Sequence, residues 1–362
     1  MRDRGNMFKK RKYKILFVDF STKLESLGDL KSRARGGMVS SLVRVPNELA
    51  KRGHEVMVLS DIKKDEWSDG GVLWCAKDGR CQLKGEKWDF LVLNRGVGEG
   101  YSGLESKHRI LWTHDLPHNG FIPEPKMMHG ISGVVFMSRY AEHLWRTFYK
   151  TIGASWLIPN GVDREMFYPR KKDLDYIVYG SAPNRGLKRL PLIFDAIRTR
   201  LGRSLKMEAY SNLSLQHPNE SGDYGEDYEK VAESKVTLND PLPQEEWAEK
   251  LGRAGLMILP TDYPEICSNN VLQTLASGVP IVTTGDLGSA NEWVKDGVNG
   301  SLTRFQVNDY MIHTVEIVRN ALGILEDKDK HWAMIKNAVH TRGIYEWEEI
   351  GVKWEKMFRK LI

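Results

Sequence analysis

The sequence predicts an α/β protein made of two sheet-and-helix halves that face each other across a cleft. Three observations carry that expectation. Short apolar runs without polar alternation are separated by longer amphipathic ones, which is the pattern of parallel strands covered on both faces by helices. The pattern lapses around Asn160 and restarts at Asp175. The chain has 362 residues, a length beyond which one hydrophobic core seldom keeps growing.

In the first half, residues 14–19 read as a buried strand. A helix is expected over 38–52, with Leu42, Val45 and Leu49 on one face and Gly53 ending it. Pro46 lies inside that helix, and its ring removes a backbone donor, so a kink or restart is expected there. Further strands are expected at 55–59, 90–93, 110–113 and 134–137. Ser138 then has the chemistry of an N-cap for a helix running to Tyr149. Residues 158–172 read as a linker. In the second half the expected order is strand 175–180, helix 187–200, strand 205–210, an acidic surface loop at 216–229, helix 244–252, strand 256–259, helix 269–276 and strand 281–283. The chain closes on a helix with Trp354, Met357, Phe358 and Leu361 at helical spacing. The expected domains are 1–170, 171–345, and a terminal helix at 346–362 that crosses back to the first domain.

Composition narrows the function. With 41% hydrophobic and 28% charged residues the chain is globular in kind, and a net charge of +5 is too small to point to nucleic acid. Part of that charge is local: Arg2, Arg4, Lys9, Lys10, Arg11, Lys12 and Lys14 crowd the N-terminus. The simpler reading is a solvated tail. The alternative is weak peripheral contact with anionic lipid, to which each such cation adds about 1 kcal/mol. No apolar h-region follows the charges, and no apolar run approaches a membrane span. Three cysteines make no disulfide framework, although Cys75 and Cys81 are close enough in sequence to pair. Reduced thiols fit a cytoplasmic protein.

The segment 263–280 carries the most chemistry. It follows an apolar strand and opens a helix that Ser268 can cap, leaving free amides at Asn269 and Asn270 suited to phosphate. Val271, Leu272, Leu275 and Ala276 share one arc of that helix, so Gln273 lies off it and Glu265 stays in the loop at the crevice. An ordinary strand–loop–helix with solvated Glu265 and Gln273 explains this segment about as well by itself. The rest of the half tilts the balance. Arg185, Lys188 and Arg189 gather at a strand-to-helix turn, where cations oppose the helix dipole and so call for an anion. In the first half Gly36 and Gly37 lie between a strand and its helix, where backbone can approach a ligand. His114 ends a strand facing the expected cleft, placed to contact a sugar or move a proton.

Together these pieces resemble glycosyltransferase family 4, the glycosyl transferases group 1, over nearly the whole chain. The 158–163 stretch with Phe167 and Pro169 looks like its interdomain motif, Arg185-Gly186-Leu187 like its phosphate element, and Glu265 like the first of its paired glutamates. Glu292-Trp293-Val294 and Gly297-Val298-Asn299-Gly300 match a later segment. Two positions depart: Gln273 stands where the family has its second Glu, and Ser181 where it has an Arg. The resemblance implies a GT-B fold of two Rossmann-like domains and a retaining, metal-independent transfer of sugar from a nucleoside-diphosphate donor to an acceptor the sequence does not specify. No cofactor is implied. Taken with the placements above, the expected catalytic residues are Glu265 and His114, and the expected donor-binding residues are Gly36, Gly37, Arg185, Lys188, Ser268, Asn269, Asn270 and Gln273. The alternatives are a non-catalytic nucleotide-sugar-binding subunit, favoured by the two departures, and another GT-B enzyme such as an epimerase or phosphorylase. Asp173-Leu174-Asp175 spells a metal motif of a different fold and reads as a solvated charge pair, while 96–100 reads as a glycine-rich turn.

Overall fold

The computed structural model describes residues 11–24, 26–27, 37–78, 83, 85–96, 103–117, 128–150, 152–212, 223–305, 309–340 and 345–362. Gly36 and Cys81 lie outside them, so neither the first expected donor-binding glycine nor the Cys75–Cys81 pair is described.

The first half folds around β1 (Lys14–Leu24), β2 (Glu55–Ile62), β3 (Glu66–Trp67), β4 (Leu73–Ala76), β5 (Lys87–Asn94), β6 (Glu105–Trp112), β7 (Gly133–Phe136) and β8 (Ser155–Leu157). Their order in space is β3-β4-β2-β1-β5-β6-β7-β8, parallel except for β3. The second sheet holds β9 (Asp173–Gly180), β10 (Lys206–Tyr210), β11 (Thr237–Asn239), β12 (Ala254–Leu259), β13 (Ile281–Thr284) and β14 (Gly300–Thr303) in the order β11-β10-β9-β12-β13-β14, all parallel. Apart from the antiparallel β3 edge, each order reverses direction once, between β1 and β5 in the first sheet and between β9 and β12 in the second. A switch point opens a crevice at the carboxyl ends of its two strands, and there ligands bind in open α/β sheets.

Nine α-helices occur among the described residues: α1 (Gly37–Lys51), α2 (Arg139–Phe148), α3 (Leu190–Leu201), α4 (Gly225–Ala232), α5 (Gln244–Arg253), α6 (Asn269–Ala276), α7 (Tyr310–Leu325), α8 (Lys328–His340) and α9 (Trp347–Leu361). Pro46 does not divide α1: the helix runs unbroken through it. The expected loop over 216–229 gives way to α4 from Gly225, because Val231 buries against the sheet-covering helices and its first turn carries Glu226 and Asp227 at the favourable end of the dipole. Asp173 and Asp175 begin β9 rather than preceding it, and Asp175 pairs with Arg203 at 2.8 Å.

The first sheet has a core on each face. Phe17, Val58, Phe90 and Trp112 pack with α1 on one side, and Leu16, Val18, Leu91 and Leu93 fill the other. The helix α9 closes the first face. Trp354 and Phe358 are fully buried there, with ring centres 5.1 Å from Trp112 and 4.3 Å from Phe90 respectively. Its buried Glu355 receives Arg52 at 3.0 Å and His54 Nε2 at 3.2 Å. His54 Nδ1 accepts the Tyr13 amide, so Nε2 carries the proton toward Glu355. A third apolar cluster runs without a break from Phe136 and Trp145 in the first half to Ile177, Val178 and Leu256 in the second, so the halves share part of their interior.

Candidate active site

The second sheet's switch point is bounded by Gly180, at the end of β9, and the loop after β12. Gly180 has no room for a side chain: a Cβ there would lie 2.5 Å from the Trp247 ring. The loop leads into α6, which is held from behind by buried Val271, Leu272, Leu275 and Ala276. Gln273 lies off that arc, half-buried, and lines the pocket. Ser268 occupies the N-cap position, yet its hydroxyl makes no capping bond. The first-turn amides of α6 therefore have no side-chain cap, and they open onto a pocket lined by Gly180, Ser181, Arg185, Glu265, Ser268, Asn269, Asn270 and Gln273. Asn270 donates to the Gly180 carbonyl, which fastens the helix start to the end of β9.

The three cations of the strand-to-helix turn separate. Two 3-10 turns, Pro183–Arg185 and Leu187–Arg189, intervene before α3 and point them differently. The pivot is Gly186, with φ +93 and a Cβ position only 2.1 Å from the Pro260 carbonyl, a site that excludes every other residue. Arg185 enters the pocket: its Nε donates to Glu265 at 2.6 Å and its guanidinium lies 3.4 Å from the centre of the Tyr263 ring. Lys188 is exposed, stands 5.5 Å from the Tyr310 ring and does not line the pocket. Arg189 turns inward and is structural. It donates to Asp262 at 2.9 Å, to the Pro260 carbonyl at 3.3 Å and to His313 Nδ1 at 2.6 Å. That last bond leaves the His313 proton on Nε2, 2.9 Å from Thr303. Burial, assisted by the Arg189 charge, pushes the His313 pKa down to about 4. This network fixes the loop that carries Glu265.

The first half contributes Gly37, the first residue of α1, which lines the same pocket. Asn269 Nδ2 donates to the Gly37 carbonyl at 3.3 Å, and Asn160 Nδ2 donates to Asn269 Oδ1 at 2.6 Å. Ser41 Oγ lies 2.6 Å from Asn160 Oδ1 and 2.8 Å from the Gly37 carbonyl. The linker residue Asn160 thus joins the starts of α1 and α6. Three more bonds cross between the halves: Gln244 reaches Ser40 at 3.1 Å, and Glu292 accepts the Arg139 and Tyr140 amides at 3.0 Å each, capping α2. His114 does not line this pocket. Its ring packs 4.5 Å from Trp112, both its nitrogens are buried without a partner, and burial with the nearby Arg95 charge holds its pKa well below the ordinary value.

Sequence reasoning missed the far wall of the pocket: Tyr210, Pro241, Leu242, Gln244 and Trp247. Tyr210 ends β10, one strand from the switch point, and that position was the available signal. Its hydroxyl donates to Glu208 at 2.5 Å. Glu208 is buried, which raises a carboxyl pKa, but Lys206 at 2.6 Å and the hydroxyls of Tyr176 and Tyr210, which both donate to it, outweigh this and hold it down to about 2. Tyr210 is thereby fixed edge-on to Trp247, with ring centres 5.5 Å apart.

Two Rossmann-like domains meeting over such a cleft define the GT-B fold, and solved GT-B structures overlay almost the whole chain. Sucrose-phosphate synthase from Thermosynechococcus elongatus superposes with a TM-score of 0.77 at 15% identity, covering 96% of this chain and 98% of that one. HepE of Anabaena in complex with UDP-glucose superposes with a TM-score of 0.70 at 15% identity, covering 96% and 100%. WaaG, a glycosyltransferase involved in lipopolysaccharide biosynthesis, gives 0.66 at 12% identity, covering 95% and 99%. Within the chain, residues 173–320, which include the whole second sheet, match the family Glycosyl transferases group 1. No curated protein sequence matches the chain.

Proposed function

We propose that the protein transfers a sugar from a nucleoside-diphosphate sugar to an acceptor hydroxyl, with retention at the anomeric carbon and without a metal ion. The observation that carries this reading is the pocket where the uncapped start of α6, Arg185 and Glu265 meet Gly37 of the other domain. The α6 amides and Arg185 suit a diphosphate, because both offer hydrogen bonds and positive potential to an anion. They would offset the charge that grows on the departing diphosphate, which is the work a metal performs elsewhere. Gln273, one turn into α6, would bond the ribose. Tyr210 and Trp247 would flank the base. Glu265 would face the sugar, steadying its hydroxyls and the positive charge at C1. As the C1–phosphate bond breaks, the acceptor oxygen bonds to C1 and its proton passes to the departing phosphate oxygen. HepE's complexes with UDP and with UDP-glucose support a donor of this class.

Calorimetry with UDP-, GDP- and ADP-glucose tests the donor, and mass spectrometry of the products tests the transfer. One donor is expected to bind and lose its sugar. Failure of all three to bind would refute the reading. A second reading, a binding subunit without turnover, draws on Gln273 and Ser181, which leave the pocket fewer charged groups than the family pattern. Tight donor binding without release of nucleoside diphosphate would favour it.

A further inference from the structure

Glu292 does not line the donor pocket. Its carboxylate crosses instead to the first half and takes the first two amides of α2: Oε2 accepts Arg139 N and Oε1 accepts Tyr140 N, each at 3.0 Å. The third amide, from Ala141, goes to Ser138 Oγ at 3.1 Å within the first half. A helix start leaves its first amides without intrahelical partners, and here two of the acceptors come from the opposite half. The carboxylate also meets the positive end of the helix dipole. α2 is fixed to its own domain, since Trp145 is 2% exposed and its Nε1 donates to the Asp115 carbonyl at 2.9 Å.

The turn that carries Glu292 also grips Glu265. Glu292 ends a 3-10 turn over Ala290–Glu292, closed by its amide on the Ser289 carbonyl at 3.0 Å. Ser289, fully buried at the head of that turn, gives its amide and its hydroxyl to the Glu265 carbonyl, at 2.8 and 3.0 Å. Gly288 lies against the same residue: a Cβ there would stand 2.6 Å from the Glu265 carbonyl oxygen and 2.7 Å from its nitrogen. Trp293 and Val294 are buried and root the turn in the core. One short turn therefore holds α2 of the first half at one end and the backbone of Glu265 at the other. Packed interiors transmit such displacements rather than absorb them.

We infer that Glu292 is a positioning residue for sugar transfer: by clamping its turn to α2, it lets Glu265 take its working place only when the two halves are closed. The inference deepens the reading under Proposed function and rests on it. This clamp is separate from the one at the nucleotide end, where Asn160 and Asn269 join the starts of α1 and α6. The diphosphate seat is held by those residues, while the sugar end, where Glu265 acts, is held by Glu292. Such a coupling assembles the site only in the closed cleft, from which water is excluded.

The test uses the full chain and whichever of UDP-, GDP- and ADP-glucose it binds, compared by calorimetry with the corresponding sugar-free diphosphate. Glu265 steadies the sugar hydroxyls, so the sugar's share of the affinity reads its placement. Glu292→Gln keeps the shape of the side chain but turns one accepting oxygen into a donor. It is expected to weaken the nucleotide sugar about five- to tenfold, the lower part of the range for coupled sites, and the sugar-free diphosphate less than about twofold. Ser289→Ala, which cuts the hydroxyl bond to Glu265, is expected to act in the same sense. Arg139→Pro removes one of the two amides at a first helical position, where proline is tolerated, after a Ser138 already extended at φ −155 and ψ 161. Added to Glu292→Gln it should cost nothing further, because the glutamine NH2 then faces no opposing N–H while its oxygen keeps Tyr140. Equal losses for the two ligands in Glu292→Gln would mean a merely structural tie between the halves and would overturn the inference. Native-like affinity for the nucleotide sugar in Glu292→Gln and Ser289→Ala, or additive losses in the double variant, would do the same while the donor reading stands. If the native chain binds none of the three donors, the donor reading fails and the role of Glu292 with it.

Discussion

Replacing Gly37 with alanine tests whether the contact between α1 and α6 sets nucleotide affinity. A Cβ at Gly37 would stand 2.8 Å from Asn269 Nδ2 and 2.9 Å from its Cγ, closer than carbon atoms approach, so the Asn269 side chain must move. Moving it breaks the bonds to the Gly37 carbonyl and to Asn160. Each bond contributes about 0.5–1.5 kcal/mol net, and Asn160 is buried, so the loss lies toward the upper end, at about 1–3 kcal/mol in all. Gly37 is the first residue of α1, where the roughly 1 kcal/mol that alanine gains in a helix interior is mostly absent. If the pocket binds nucleotide only with the two domains in contact, that energy appears as a 5- to 150-fold weaker association. Calorimetry with the cognate nucleotide measures it. A double-mutant cycle with Asn269→Ala then isolates the cause, because the three atoms nearest the added Cβ all belong to the Asn269 amide, and without it the extra cost should fall away. Equal effects of Gly37→Ala with and without Asn269 would refute the steric argument, and unchanged affinity in the single variant would refute the link between domain contact and binding.

Three other outcomes are expected. Glu265→Gln should bind nucleotide normally and turn over at least a hundredfold more slowly, while Gln273→Ala should raise the donor KM with near-normal turnover. Steady-state kinetics separate these, and the reverse pattern would mean that the sugar and ribose ends of the pocket have been exchanged. His313 has a native pKa near 4 against an ordinary 6.5, so its stabilising contribution is complete above pH 6.5 and is lost as pH falls from 6.5 toward 4. The loss is on the order of 3 kcal/mol, and thermal melts of His313→Asn across that range should show a flatter acid limb than the native protein. Trp354→Ala should cost about 3–5 kcal/mol by emptying the space between Trp112 and Phe358, and an unfolding curve with an unchanged midpoint would contradict the packing of α9.

The sequence made the parts with strong local signals legible. The strand before Gly180, the strand before Pro260 and the amphipathic α6 stand where their apolar patterns place them, and Ser138 does cap α2 through the Ala141 amide. What it hid depends on contacts distant in sequence. Arg185, Lys188 and Arg189 look equivalent in the sequence, and only the close approach of Gly186 to Pro260 sends one to the pocket, one to the surface and one to a buried network. For that reason the sequence groups Lys188 with the donor residues, while the structure leaves it exposed and off the pocket wall. Ser268 has a capping side chain that makes no capping bond, and a propensity does not reveal which bonds are made. The strands β8, β11 and β14 are three or four residues long and hold only one or two large apolar residues each, so no apolar run marks them as it does the equally short β7 and β13.

The two departures from the family pattern alter how the site handles charge. With Ser181 and Gln273 uncharged, Arg185 is the one cationic side chain that lines the described pocket. It is shared: Glu265 holds it at 2.6 Å, and Tyr263 backs it. A diphosphate arriving at α6 must therefore share that guanidinium with Glu265. A guanidinium has five donors in a planar fork, so it can keep one bond to Glu265 and turn the other edge to phosphate, which a lysine could not do. The consequence is a coupling between the ends of the pocket. Charge that grows on the leaving phosphate draws Arg185 away from Glu265, and the carboxylate is then freer to face the positive charge growing at C1. Ground state and transition state would differ in how one arginine is divided, and a contact that strengthens only as the bond breaks is the kind that raises turnover.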